Sequence, residues 1–348
     1  MNEQSENIRT RKREHLELCK TDAVQFKQKT SGFEKYDFLH AAVTEVQIDK
    51  IDLTKKFFGK KVSYPFLISC MTGGTAEGEN INLQLAEVAA ELNIPLGLGS
   101  LRFALETNDY DEHFKQIRKA AKEAPILGNI GGAQIIKLKS FKPLFNLLNK
   151  IGSDVLVVHL NPLQELLQKN GEPDFFGIKK SLEKLVRQSP MPIIVKEVGS
   201  GISKKSAQAL LNLGVSGIDV AGSGGTSWAG VEILRNKQSV ENPFWDWGLP
   251  TSFCINTIAE LKKKNKFMLI GSGGINSSFD AAKAFALGAD FTASARIILQ
   301  TLIKGQQAGV LLLIKEWFED VKRIMYLTDS QNLRNFGIEK LILKKDCY

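Results

Sequence analysis

Cysteine is scarce. The 348-residue chain has 4, Cys19, Cys70, Cys254 and Cys347, far apart and without a C-x-x-C pair. That excludes a disulfide framework and a cysteine zinc site, and a reduced, cytoplasmic setting is expected. Long apolar runs are missing as well. No stretch approaches ~18 uninterrupted apolar residues, and the N-terminus is polar, then basic, with no apolar leader core, which argues against a membrane span and a secretory signal. Histidine numbers only 4, and acidic residues are outnumbered, 38 against 46 Lys and Arg, for a formal charge of +8. Such a balance suits an anionic ligand, a nucleic acid or an acidic surface equally well. What is present, 43% hydrophobic and 24% charged residues, excludes disorder and promises a large core.

From Tyr64 onward, short apolar runs alternate with helix-period segments, the pattern of βα units around a parallel sheet. Eight strands are expected: Pro65 to Cys70, Pro95 to Gly99, Pro125 to Ile130, Asp154 to Leu160, Pro192 to Val198, Gly217 to Ala221, Phe267 to Gly271 and Ala289 to Ala293. Helices fit Asn80 to Leu92, Phe141 to Ile151, Lys204 to Leu213 and Phe279 to Leu287. Ser203 and Ser277 or Ser278 stand where N-caps belong, and Gly214 and Gly288 where C-terminal stops belong. Eight parallel strands close most naturally into a (β/α)8 TIM barrel. The division expected is residues 1–62 as a basic arm and extension, and 63–348 as the barrel with its C-terminal helices. A Trp- and Pro-rich insertion, Trp228 to about Thr251, follows strand six. The cluster Arg9-Thr10-Arg11-Lys12-Arg13 reads, taken alone, as a solvated end sooner than as a phosphate-binding arm.

Barrel chemistry sits at the carboxyl ends of the strands. There the sequence supplies Ser69-Cys70-Met71-Thr72-Gly73-Gly74, Ser100-Leu101-Arg102, Asn129, His159-Leu160-Asn161-Pro162-Leu163-Gln164-Glu165, Lys196-Glu197, Gly222-Ser223-Gly224-Gly225-Thr226, Gly271-Ser272-Gly273-Gly274, and Ala293-Ser294. A glycine loop after strand seven, with Ser294 after strand eight, matches the barrel's usual phosphate site, and the second loop should pack beside it. Arg11, Lys12, Arg102 and Lys196, with His15 and His159, form a basic set able to hold two anions. Taken alone Glu165 reads sooner as a helix N-terminal charge; among amides and an imidazole it is too little for zinc but enough for magnesium that borrows ligands from phosphate. His40 and His113 read as structural or surface groups. Trp228, Trp245 and Trp247 could line an apolar pocket, although aromatics more often serve the core.

Together these strand ends resemble the type 2 isopentenyl-diphosphate isomerases, flavoproteins on a TIM barrel, along nearly the whole chain. The phrases are Arg11-Lys12 with His15, Met71-Thr72-Gly73-Gly74, Gly99-Ser100-Leu101-Arg102, the His159-to-Glu165 run, Val195-Lys196-Glu197, Gly224-Gly225-Thr226 with Trp228, Asp246-Trp247-Gly248 with Pro250-Thr251, and Gly271-Ser272-Gly273-Gly274-Ile275. The resemblance implies that Ser69, Met71, Thr72, Ser100, Asn129, Lys196, Thr226, Ser272, Gly273, Gly274, Ala293 and Ser294 contact FMN. It implies that Arg11, Lys12, His15, Ser100, Arg102, His159, Asn161 and Gln164 meet the substrate, that Lys196, His159 and Gln164 are catalytic, and that Glu165 helps hold Mg2+. Leu101 stands where the family shows glutamine, and Val220-Ala221 where it shows Thr-Ser. The first would alter a diphosphate contact and the second would remove a hydroxyl near the flavin.

The implied activity interconverts isopentenyl and dimethylallyl diphosphate for isoprenoid biosynthesis, with reduced FMN as acid and base and NAD(P)H, NADPH in particular, as reductant only. Two rivals remain: an FMN-dependent 2-hydroxy-acid oxidoreductase on the same barrel, and a nucleic-acid-binding protein, for which no binding module or aromatic-basic interleaving is present. The partner expected is thus a small diphosphate, with no nucleic acid and no membrane, in a homo-oligomer, tetrameric or octameric as the family implies.

Overall fold

The eight expected strands are all formed in the computed structural model, which describes residues 3–107 and 111–346. Cys347 lies outside them. The barrel strands are β1 (Phe66–Ile68), β2 (Leu96–Ser100), β3 (Ile126–Gly131), β4 (Val155–His159), β5 (Ile193–Lys196), β6 (Gly217–Asp219), β7 (Met268–Ser272) and β8 (Phe291–Ser294). They are parallel and close as β7-β8-β1-β2-β3-β4-β5-β6. Strand after strand is buried on both faces, as strands covered by helices outside and side chains inside must be. That is why they read as continuous apolar runs.

The expected caps are in place. Ser203 accepts from the Ser206 N–H and Ser277 from the Asp280 N–H, each satisfying a donor that the first helical turn leaves open. The helix Trp228–Arg235, capped by Ser227, occupies the first third of what the sequence presents as an irregular insertion.

The described residues up to 62 fold onto the barrel. The antiparallel strands Lys55–Phe57 and Lys60–Val62 drive Phe57 and Val62 into the barrel interior beside Leu67, Leu127, Val155, Ile194 and Phe291. The amino-terminal mouth is thereby filled. Tyr36–Phe38 pairs antiparallel with Leu341–Leu343, joining the extension to the end of the chain. Among the described residues one helix, Arg296–Leu327, is long and apolar enough to cross a bilayer. It breaks at Gln306 (φ 53°), and Val310, Ile314, Phe318 and Val321 pack into the barrel's outer core.

The helix Glu3–Cys19 overturns the reading of Arg11 and Lys12 as a loose, solvated end. Arg11, Lys12, His15, Leu16 and Cys19 recur at helical spacing and turn one face to the barrel's open end. Arg13 stays exposed.

Candidate active site

Every residue assigned above to FMN, substrate or metal lines one cavity at the carboxyl ends of the strands. It encloses about 1710 Å3 of space, its open mouth included. Ser69, Met71 and Thr72 follow β1, Ser100 ends β2, Arg102 opens the helix after it, and Asn129 lies in β3. His159, Asn161, Gln164 and Glu165 come from β4 and the helix Pro162–Leu167, and Lys196 ends β5. Thr226 lies in the loop after β6, Ser272 ends β7 with Gly273 and Gly274 following it, and Ala293 and Ser294 end β8. Arg11, Lys12 and His15 come from the helix Glu3–Cys19.

One end of the cavity is built to receive a phosphate. The two glycine loops interlock so closely that a Cβ on Gly273 would stand 2.1 Å from the Gly222 carbonyl oxygen, and one on Gly274 2.7 Å from Gly224. Both glycines have positive φ, 94° and 70°, open cheaply only to glycine. Beside them the helix Arg296–Leu327 begins after Ala295 without a side-chain cap, and Arg296 and Ile297 line the cavity. Its first N–H groups lack intrahelical partners and suit an anion. Ser294 is less of a donor than its position suggests, because its hydroxyl gives its hydrogen to the Ile275 carbonyl at 2.7 Å. The cradle of bare backbone therefore fits the phosphate of FMN.

At the floor, Lys196 is buried and donates to the Glu197 carbonyl. Glu197 accepts from the N–H groups of Val198, Gly199 and Ser200, which fixes the loop following β5. A charged ammonium over an apolar barrel core suits the electron-rich edge of a flavin ring. His159 Nδ1 meets Asn129 Oδ1 at 2.9 Å. Burial first and the Lys196 charge second push the ring down to about pKa 3. His15 is also lowered, by burial, against the pull of the Glu232 carboxylate 2.8 Å away. The two histidines are therefore neutral hydrogen-bonding groups at physiological pH, and the expected basic set shrinks to Arg11, Lys12, Arg102 and Lys196.

Lys12 is the least compensated of the four. Its buried Nζ has no hydrogen-bond partner, and burial, then Arg11 and Arg102, bring it down to about pKa 8. Arg102 is by contrast held in two ion pairs, to Glu106 and Glu172, each at 3.0 Å. Asn161 gives its amide hydrogens to Gln164 Oε1 (3.0 Å) and Glu165 Oε1 (3.1 Å), and its own Oδ1 is buried without a partner. Glu165 Oε2 accepts from the Glu172 N–H at 2.7 Å. Among the described residues no three His, Cys, Asp or Glu side chains converge as a metal cage. One carboxylate and an orphaned amide oxygen fit Mg2+ that completes its shell with water and phosphate.

Several lining or supporting residues escaped the sequence reading. Glu232, on the helix Trp228–Arg235, accepts from His15, from Gln164 Nε2 at 3.2 Å and from Arg235. The spacing of Trp228, Glu232 and Arg235 on one face of a Ser-capped helix was a usable signal. Gln134, Gln168 and Glu172 carried none. Of the three tryptophans only Trp228 lines the cavity, edge-on to His15 at 5.1 Å. Trp245 packs on Gly230 and gives its N–H to the Gln25 carbonyl, and Trp247 is exposed. Leu101 is buried against Gly128 in the outer core and does not line the cavity, so a changed diphosphate contact does not follow from it. Val220 is core, whereas Ala221 reaches the cavity wall.

A glycine-walled anion seat at the top of a parallel barrel, with a buried lysine on its floor, defines a flavin-binding β/α barrel. The chain matches the model of the FMN-dependent dehydrogenases over residues 4–110 and 159–342. It is also 40% identical to an isopentenyl-diphosphate delta-isomerase of Chlorobium phaeobacteroides, covering 96% of this chain and 95% of the relative. With one from Pyrococcus furiosus it shares 39% identity over 93% and 84% of the two chains. The chain belongs to the flavin-dependent, type 2 isopentenyl-diphosphate delta-isomerases. A flavocytochrome b2 mutant superposes with TM-score 0.70 at 18% identity, covering 95% and 83% of the chains. A mandelate oxidase mutant with (S)-mandelic acid gives 0.64 at 14%, covering 97% of each. Those two share the fold.

Proposed function

We propose that this protein interconverts isopentenyl diphosphate and dimethylallyl diphosphate, supplying isoprenoid synthesis, with FMN reduced by NADPH as cofactor and Mg2+ on the diphosphate. The observation that supports it is the convergence of Arg11 and Lys12, the Asn161-Gln164-Glu165 group and Lys196 on one cavity beside a separate phosphate cradle. A glycine-loop phosphate cradle and a group of cationic side chains facing one cavity suit a flavin phosphate and a diphosphate ester.

Moving the double bond requires protonation of an unactivated alkene at one carbon and loss of a proton at another. No side chain of ordinary acidity does this readily at neutral pH. Bound reduced FMN supplies the proton donor and acceptor. The chain's own residues do the rest. Lys196 stabilises negative charge on the ring edge. Arg11, Lys12 and Arg102 bind the diphosphate, and Glu165 with Asn161 would hold the Mg2+ that screens its charge. Gln164, fixed between Asn161 and Glu232, and neutral His159 orient the ester. The arm helix keeps water from the reacting carbons.

A 2-hydroxy-acid oxidoreductase would need a base strong enough to take a proton from its substrate, and His159, pushed down to about pKa 3, is a weak one. That and the Asn161-Gln164-Glu165 group facing the same cavity as Arg11 and Lys12 favour the isomerase reading. The reading carries with it a cytoplasmic setting and a homo-oligomer, tetramer or octamer, which light scattering would measure.

Anaerobic incubation of the purified protein with FMN, NADPH, Mg2+ and isopentenyl diphosphate should yield dimethylallyl diphosphate without stoichiometric NADPH oxidation. A colourless protein unable to take up FMN, or one-for-one consumption of NADPH, overturns the reading. Chelation by EDTA should lower the rate, and a rate indifferent to both EDTA and Glu165→Gln removes Mg2+ from it.

A further inference from the structure

One buried acid directly under the cavity has no part in the mechanism above. Asp219 ends β6, in register with Lys196 on the neighbouring strand β5, so the two side chains emerge on the same side of the sheet. Asp219 is 2% exposed. Its Oδ1 accepts from the Ser272 hydroxyl and, at 3.3 Å, from the Ala221 N–H. Lys196, Ser272 and Ala221 all line the cavity. The carboxylate is thus one residue removed from three wall positions without reaching the wall itself.

We propose that Asp219 is a positioning residue that sets both the charge and the hydrogen-bond polarity of the floor on which FMN rests. Two consequences follow from elementary chemistry. A hydroxyl has one hydrogen, and that of Ser272 is given to Asp219, so Ser272 Oγ can only accept from a bound ligand. The carboxylate stands beside Lys196 in the sheet; burial raises its pKa on balance, while the Lys196 charge and the hydrogen bonds from Ser272 and Ala221 favour its ionised form, and as an anion it offsets part of the Lys196 field. Reduction adds electron density to the flavin ring, so a buried anion nearby opposes it. Asp219 therefore holds the potential of bound FMN lower than Lys196 alone would set it.

This inference rests on the FMN reading, and its test is separate from isomerase turnover. In redox-dye titrations of the holoprotein, Asp219→Asn should bind FMN and raise the ratio of reduced to oxidised flavin about tenfold at a fixed potential, about 30 mV for a two-electron couple. An unchanged or lowered potential overturns the proposal. If the Asn variant fails to hold FMN, Asp219→Glu decides: FMN uptake at the parental potential shows that the charge is needed, and loss in both variants reduces Asp219 to packing and also overturns the proposal. If the unaltered protein takes up no FMN, the cofactor reading falls first and this inference with it.

Discussion

Lys12 carries a pH dependence of its own. Its pKa, lowered from the usual 10.5 to about 8 by burial and by its arginine neighbours, means that the side chain loses its charge as pH rises through about 8. A diphosphate prefers the protonated form, so KM for the ester should climb above pH 8, and Lys12→Met should remove that rise while lifting KM at lower pH. A KM profile of the Met variant that parallels the parent would detach Lys12 from the anion. Sign and cost in the empty protein run the other way. Over about pH 8 to 10.5 the unfolded chain binds more protons at this position, so stability rises with pH there. Lys196 has a different signature. Lys196→Ala should slow reduction of bound FMN by NADPH by one or more orders of magnitude, as stopped-flow bleaching would record, and normal reduction would refute its place beside the ring. Lysines at strand ends, glycine pairs and the His-Leu-Asn-Pro run were legible in the sequence because strand position alone dictates where they point. The neutrality of His15 and His159, the pairing of Arg102 and the buried Asp219 were not, since burial and partner geometry decide them and both arise only on closure of the barrel.

Among the elements, the helix Trp228–Arg235 shows what a linear reading misses. Its 8 residues span only about two turns, and the tryptophans and prolines nearby resemble loop composition. Tertiary packing makes it a helix: Ala229 and Ile233 bury against Trp245, and Ser227 both caps the first turn and donates to the Trp245 carbonyl at 2.6 Å. This element delivers Glu232, the acceptor that three side chains share. Glu232→Ala leaves Arg235, His15 and Gln164 without it and should cost about 3 kcal/mol in urea unfolding, the usual scale for breaking a buried charge pair. KM should rise with it, because His15 and Gln164 lose their orientation. A loss under about 1 kcal/mol would mean that water replaces the carboxylate freely. By contrast, all eight barrel strands were legible, because a strand covered on both sides is apolar along most of its length, polar here chiefly near its carboxyl end, and each run is bounded by Gly, Pro or polar residues.

For the molecule as a whole, the extension up to residue 62 is part of the barrel. Phe57, 1% exposed and edge-on to Phe291 at 5.1 Å, fills the interior from below. Phe57→Ala should destabilise by about 3–5 kcal/mol and lower the midpoint of urea denaturation, with the FMN-binding end unaltered in spectrum. A smaller cost would mean that the interior collapses around the gap. Composition had offered only a polar, basic segment here, and the alternation that inserts Phe57 and Val62 is too short to stand out from the lysines around it.

Because, among the described residues, aromatic and aliphatic side chains stopper the lower rim, the proposed function has ligands reach the flavin floor through the end of the barrel that Arg11 and Lys12 face. On the proposed function, a nicotinamide reductant and the isoprenoid ester would queue for it. Saturating isopentenyl diphosphate should slow bleaching by NADPH in a competitive manner, and simultaneous entry, seen as a reduction rate blind to the ester, would reveal a back passage.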